Sequence, residues 1–119
     1  LGHITTFGGH PINCAASLAT LEHLLAANVM QKVDEKEQLF RLHLKHPKIK
    51  EIRGKGLMLA IEFEDEELAK KVVEQSLENG LILFYFLFTK TAIRITPPLN
   101  ISEKELIKGC KIIKAILEA

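Results

Sequence analysis

The 119-residue sequence has little of the chemistry that marks a disulfide-rich or metal-binding protein. It has no tryptophan, one tyrosine and two cysteines, Cys14 and Cys110. Their Ala-rich and Ile-rich surroundings predict two buried, small apolar residues rather than a disulfide or a pair of metal ligands. His43 and His46 share a helical face, but no further ligand completes a cluster, so the sequence predicts no metal site. Unpaired cysteines favour a cytoplasmic protein.

An excess of charge of either sign is also lacking. The sequence has 16 basic and 15 acidic residues, a formal net charge of +1, and its basic residues alternate with glutamates in stretches such as residues 67–78. A nucleic-acid partner requires clustered Lys and Arg, so this pattern argues against one. The longest apolar run, residues 81–88, has the length of a strand and not of a membrane-spanning helix. The sequence therefore predicts a soluble protein with no nucleic-acid or membrane partner.

The spacing of the apolar residues changes along the chain between the helical period and the strand period. The predicted elements are a helix at 11–27, a helix between Asn28 and Pro47, a strand at 49–52, a turn at 53–56, a strand at 57–63, a helix between Asp65 and Asn79, strands at 81–88 and 91–96, and a helix from Ser102 to the end. The two strands before the last helix read as a hairpin. This order predicts an α+β fold with helices on one face of a mainly antiparallel sheet.

The first candidate site is the segment Thr-Thr-Phe-Gly-Gly-His-Pro at residues 5–11. Pro11 suits the first position of a helix. Hydroxyl groups and side-chain-free backbone just before a helix N-terminus can receive the oxygens of an anion. We expect phosphate to be that anion and Thr5 and Thr6 to supply the hydroxyls. The alternative is an ordinary glycine-rich entry to a helix, without a ligand.

The second candidate is Arg94, a cation midway along an otherwise apolar strand. Strand alternation places its side chain on the face opposite Ile93 and Ile95. Two prolines that follow, Pro97 and Pro98, end the strand by removing backbone donors. A guanidinium at such a place can hold a carboxylate through two hydrogen bonds. The alternative is a solvated arginine on the face of a strand.

These motifs together resemble the C-terminal part of class III aminotransferases of the ornithine, acetylornithine and 4-aminobutyrate type. The resemblance runs in family order over nearly the whole chain and is carried by the segments 5–11, 53–58, 79–81 and 93–99. It implies that residues 29–119 are the C-terminal small domain of a fold-type I pyridoxal-phosphate enzyme. It further implies that residues 1–28 are the cofactor-phosphate loop and a connecting helix from the edge of the large domain.

In function, the resemblance implies an aminotransferase that moves an amino group between an amino acid and a 2-oxo acid with pyridoxal 5'-phosphate, as a homodimer. Thr6, with Thr5 beside it, is implied to bind the cofactor phosphate of the other subunit, and Arg94 a substrate carboxylate. No catalytic residue is expected in this chain, because the family's Schiff-base lysine and the aspartate that pairs with the pyridine nitrogen lie upstream of the threonine motif. The fragment alone is therefore expected to be inactive. His10 departs from the family's usual asparagine.

Two other classes of function stay open at this point. A non-enzymatic α+β module for ligand sensing or dimerisation would explain the helices and strands without a cofactor. An aminomutase or decarboxylase on the same scaffold is the other alternative, because the residues that separate these reactions lie mostly upstream in the family. The chain starts at Leu1 without an initiator Met or the layout of a signal peptide, which is compatible with part of a longer protein.

Overall fold

The computed structural model describes residues 4–26 and 28–119. The start of the chain at residues 1–3 and the predicted helix end at Ala27 lie outside that part. In chain order the elements are α1 (Pro11–Ala26), a 3-10 helix (Val29–Lys32), α2 (Val33–His43), β1 (Ile49–Lys55), β2 (Met58–Phe63), α3 (Glu66–Glu78), β3 (Phe84–Tyr85), β4 (Ala92–Ile95) and α4 (Glu103–Glu118). The chain divides into two compact units, one that ends at Gln31 and one that runs from Lys32 to Ala119.

The larger unit is built on a four-stranded sheet in the order β1-β2-β4-β3, with every neighbouring pair antiparallel. Leu59 pairs with Ile95 and Ile61 with Ile93, so their side chains share one face. That face is buried in a single apolar cluster with residues of α2, α3 and α4. The predicted α+β fold, with helices on one face of an antiparallel sheet, is confirmed.

The last two helices begin where the sequence predicts. Asp65 caps α3, and its side chain accepts a hydrogen bond of 2.7 Å from the Leu68 amide. Ser102 and Glu105 form a capping box at the start of α4, in which each side chain accepts from the backbone amide of the other residue. Such caps satisfy amides that have no partner within the helix.

β3 is two residues long and does not span residues 81–88 as predicted. Gly80 has a φ of +77°, and the Leu81 amide donates to the Ser76 carbonyl at 2.8 Å. The amide that would start the strand is therefore used to close the end of α3. The predicted hairpin pairing is nevertheless present, since β3 runs antiparallel to β4.

The turn predicted at residues 53–56 contains fewer residues of that range in the structure. β1 continues to Lys55, which pairs with Met58 across the reversal. Gly56 has a φ of +61°, and a Cβ at this position would lie 2.7 Å from Val33 Cγ1. A glycine is therefore needed here for the backbone conformation and for the close approach of α2.

α2 is joined to the rest of this unit by polar contacts that the sequence pattern did not predict. Glu37 accepts hydrogen bonds from the Gly56 amide at 2.5 Å and from Arg41 Nε at 2.9 Å. These two donors, the Gly56 amide first, lower the pKa of Glu37. The charged side chain of Lys36 is only 8% exposed, and it donates to the Leu99 carbonyl at 2.6 Å.

Candidate functional site

The predicted anion-binding loop precedes α1 as expected. Residues 6–9 form a turn in which Gly9 has a φ of +78°, and the His10 amide donates to the Phe7 carbonyl at 3.2 Å. α1 begins at Pro11, and its first turn contains no acidic residue. The positive end of the α1 dipole is therefore not neutralised by a carboxylate of its own first turn.

The two threonines of this loop are exposed to solvent. The Thr5 hydroxyl lies so close to the backbone of Gly8 that a Cβ at position 8 would overlap it. Within the described residues, neither Thr5 nor Thr6 uses its hydroxyl in a hydrogen bond. The loop thus offers hydroxyl groups and side-chain-free backbone before a helix N-terminus, an arrangement that can receive phosphate oxygens.

α1 itself contains no buried residue. Four of its large apolar side chains are more than half exposed: Ile12, Leu18, Leu21 and Leu25. The prediction that Cys14 is buried was wrong, because it lies on this uncovered helix. Cys110 is buried in α4 as predicted, and burial raises the pKa of its thiol to about 12.

Arg94 lies on the open face of the sheet, opposite the face that the helices cover. Its neighbours Ile93 and Ile95 are buried while Arg94 is exposed, as the strand alternation predicted. In register, Arg94 is opposite Ala60 on β2 and Phe84 on β3. The arginine is therefore in the middle of the open face and not at its edge.

The guanidinium of Arg94 lies over the ring of Phe86, with Cζ 5.3 Å from the ring centroid. This distance is that of a cation–π contact. Both side chains line a shallow depression of about 500 Å³ on the open face. Its lining consists of Arg53, Gly54, Met58, Leu59, Ala60, Phe86, Arg94 and Thr96. We call it the open-face depression.

The two arginines of the open-face depression differ in their partners. Arg53 Nη2 lies 2.8 Å from Glu62 Oε2, and Glu62 also accepts a hydrogen bond from the Thr91 hydroxyl. Arg94 forms no ion pair with any residue in 4–26 or 28–119. Its N–H groups are thus available for a carboxylate, whereas the charge of Arg53 is already compensated.

Thr5 and Thr6 belong to the unit that ends at Gln31, and Arg94 belongs to the larger unit. Across the described part of the chain, no group of three or more His, Cys, Asp or Glu residues could hold a metal ion. Nor does any helix there combine the length and the apolarity needed to cross a membrane.

The sequence did not predict that Phe86 belongs to the candidate site. It showed Phe86 only as one residue of the apolar run at 81–88.

With this geometry in view, comparison with known proteins identifies the family. The family model described as "Aminotransferase class-III" matches residues 1–117, and the chain therefore belongs to the class III aminotransferases. It is 37% identical, over 120 aligned positions, to an acetylornithine aminotransferase of Caldanaerobacter subterraneus subsp. tengcongensis. That match covers 97% of this chain and 30% of the relative.

Solved structures agree with this assignment. The acetylornithine aminotransferase from Elizabethkingia anophelis aligns with a TM-score of 0.82 at 34% identity, over 100% of this chain and 31% of the relative. An adenosylmethionine-8-amino-7-oxononanoate aminotransferase from Methanocaldococcus jannaschii aligns with a TM-score of 0.79 at 32% identity, over 100% and 30%. The fold of a fold-type I aminotransferase is thereby confirmed. The chain spans about 30% of the length of these relatives.

Proposed function

We propose that the full-length protein is a pyridoxal-phosphate-dependent aminotransferase that exchanges an amino group between an amino acid and a 2-oxo acid. The observation that carries this proposal is the guanidinium of Arg94, which is exposed, seated on Phe86 and without an acidic partner in the described residues. Membership of the class III family favours an enzyme over a ligand-sensing or dimerisation module. The relatives named above are all aminotransferases, which favours amino-group transfer over aminomutase or decarboxylase chemistry.

Arg94 binds the substrate carboxylate in this proposal. An amino acid and a 2-oxo acid both carry a carboxylate next to the carbon that exchanges the amino group. One fixed guanidinium can therefore orient both substrates in turn, through two parallel hydrogen bonds. Such positioning lowers the entropic cost of bringing the reacting carbon to the cofactor.

The loop before α1 fits the phosphate of pyridoxal 5'-phosphate. When bound, the cofactor supplies the electron sink for amino-group exchange, while the protein supplies orientation and electrostatics. Thr6 is proposed to contact the phosphate, with Thr5 beside it. The missing side chain at Gly8 and the first turn of α1, which has no carboxylate, suit an anion at this place.

A homodimer is part of the proposal. Thr6 would serve the cofactor site of the other subunit, so each site would be incomplete without the partner. The exposed apolar side chains of α1 support assembly, because burial of such a surface against more polypeptide is favourable. We place the protein in the cytoplasm, in agreement with two cysteines that form no disulfide.

No lysine of this chain is proposed to hold the cofactor. Lys36 and Lys48 donate to backbone carbonyls, and Lys55 pairs with Asp34 at 3.0 Å. The cofactor lysine and the aspartate that pairs with the pyridine nitrogen are proposed to lie in the remaining part of the full-length protein. The 119-residue chain alone should accordingly show no transaminase activity.

The test uses the full-length protein with pyridoxal phosphate, an amino donor and 2-oxoglutarate. We expect a change of the cofactor absorbance on addition of the donor, and formation of glutamate. Arg94→Ala should raise KM for both substrates and leave the cofactor bound. Lys90→Ala, which removes an exposed positive charge from the same hairpin, is the matched control. If no donor changes the cofactor absorbance, the proposed function is wrong, and an unchanged KM in Arg94→Ala would remove that residue from the site.

A further inference from the structure

We propose that Phe86 is a positioning residue, which holds the guanidinium of Arg94 in the orientation that receives the substrate carboxylate. The proposal rests on the proposed function of Arg94. Arg94 Cζ lies 5.3 Å from the centroid of the Phe86 ring, on the open face of the sheet. At this separation the negative face of the ring attracts the cation.

Arg94 needs such support because no acidic residue orients it in the described part of the chain. A long arginine side chain on an open sheet face has many rotamers, and their loss opposes binding. Contact with one rigid ring restricts the guanidinium before the substrate arrives. A site prepared in this way loses less entropy when the carboxylate binds.

An aromatic ring beside Arg94 leaves the N–H groups of the guanidinium free, whereas a carboxylate in the same place would occupy them. Arg53, in the same open-face depression, is held by Glu62, and that carboxylate occupies its N–H groups. The ring of Phe86 contacts Arg94 without accepting its N–H groups as a carboxylate would. The positive charge and a bidentate edge are therefore retained for the ligand.

The burial of Phe86 agrees with this role. Within the aromatic segment 84–88, Phe86 is the one side chain that is partly buried, and the other four are exposed. Phe88 is 97% exposed, so the segment as a whole is not packed into the core. Phe86 is thus distinguished from its neighbours by its place against Arg94 in the open-face depression.

The experiment compares three variants of the full-length holoenzyme. Phe86→Leu keeps an apolar side chain but removes the ring, and we expect KM for both substrates to rise roughly three- to tenfold while cofactor absorbance and content stay unchanged. Phe86→Tyr keeps the aromatic face and should restore the wild-type KM. Phe88→Leu makes the same chemical change two residues away, at an exposed position, and should have the wild-type KM.

A double-mutant cycle separates positioning from a general effect on the fold. In the Arg94→Ala background, Phe86→Leu should cause no further rise of KM, because the group that it positions is absent. An equal further rise in that background would overturn the proposal. It would also be overturned if Phe86→Leu kept the wild-type KM while Arg94→Ala raised it, a result that leaves the proposed function intact. Should Phe86→Leu not fold, Phe86→Tyr and Phe86→Met are compared in the same way.

Discussion

Ala60 lies directly opposite Arg94 in the antiparallel pairing of β2 and β4. On its other side Ala60 pairs with Arg53 of β1, so a single methyl group separates two arginines in one row across the sheet. Adjacent strands are about 4.8 Å apart, which places the two arginine backbones about 10 Å from each other. Ala60 and both arginines line the open-face depression.

If Arg94 has its proposed role, Ala60→Leu should weaken substrate binding by the full-length protein. A leucine would extend into the open-face depression and occupy space that a carboxylate needs to reach Arg94. We expect KM to rise about tenfold or more with the cofactor absorbance unchanged, a loss of at least about 1.4 kcal/mol of binding free energy. Ala60→Ser, which adds one small atom, is the control. Equal KM values for the leucine and serine variants would show that substrates do not approach through this space.

Gly54→Ala should destabilise the protein more than Gly80→Ala. Both glycines have positive φ, +119° and +77°, so both substitutions introduce backbone strain of about 1–3 kcal/mol. At Gly54 the new Cβ would also overlap the backbone carbonyl of Met58, whereas at Gly80 it would meet nothing within 4 Å. We expect the midpoint of thermal unfolding of the full-length protein to fall further in Gly54→Ala. Equal midpoints would contradict the close approach of β1 and β2 at this turn.

Glu37 should stabilise the fold in a pH-dependent way. The Gly56 amide and Arg41 lower the pKa of Glu37 below its usual value near 4.5, so the unfolded chain binds the proton more tightly. The stabilisation is complete above the unfolded pKa and is lost as the pH falls through the folded pKa. The unfolding midpoints of the wild type and of Glu37→Gln should accordingly differ most near about pH 7 and converge as the pH falls below the folded pKa of Glu37. Glu35→Gln, on an exposed position of the same helix, is the control and should show no such trend.

Much of the fold follows from local features that can be read along the chain. The helix caps at Asp65 and Ser102 depend on residues within one turn, and both helices begin next to these residues as predicted. The placement of Arg94 opposite the buried isoleucines follows from the two-residue period of a strand. For the candidate site, the sequence thus identified the charged group and the face on which it lies. The roles of Thr5, Thr6 and Arg94 stay predictions that the experiments above address.

The two features that were missed have different causes, one distant in the chain and one local. Lys36 reads as a surface residue of an amphipathic helix, yet it is buried because the Leu99 carbonyl comes within hydrogen-bond distance. Residues 81–83 have the composition of a strand, but the Leu81 amide closes α3 instead. The Lys36 contact joins residues 63 positions apart and forms only on packing, whereas the Leu81 contact to Ser76 is local and competes directly with a strand. Each outweighs a propensity of a fraction of a kcal/mol per residue.

The sequence by itself determined the type and order of most elements, and it singled out the side chains that are predicted to bind anions in the two candidate sites. These properties depend on periodicity, capping and the chemistry of single residues, which act within a few positions. The tertiary structure alone decided that Ala60 lies between two arginines and that Phe86 lies under one of them. Strand register and packing create those neighbours, and no local pattern specifies which side chains meet across a sheet.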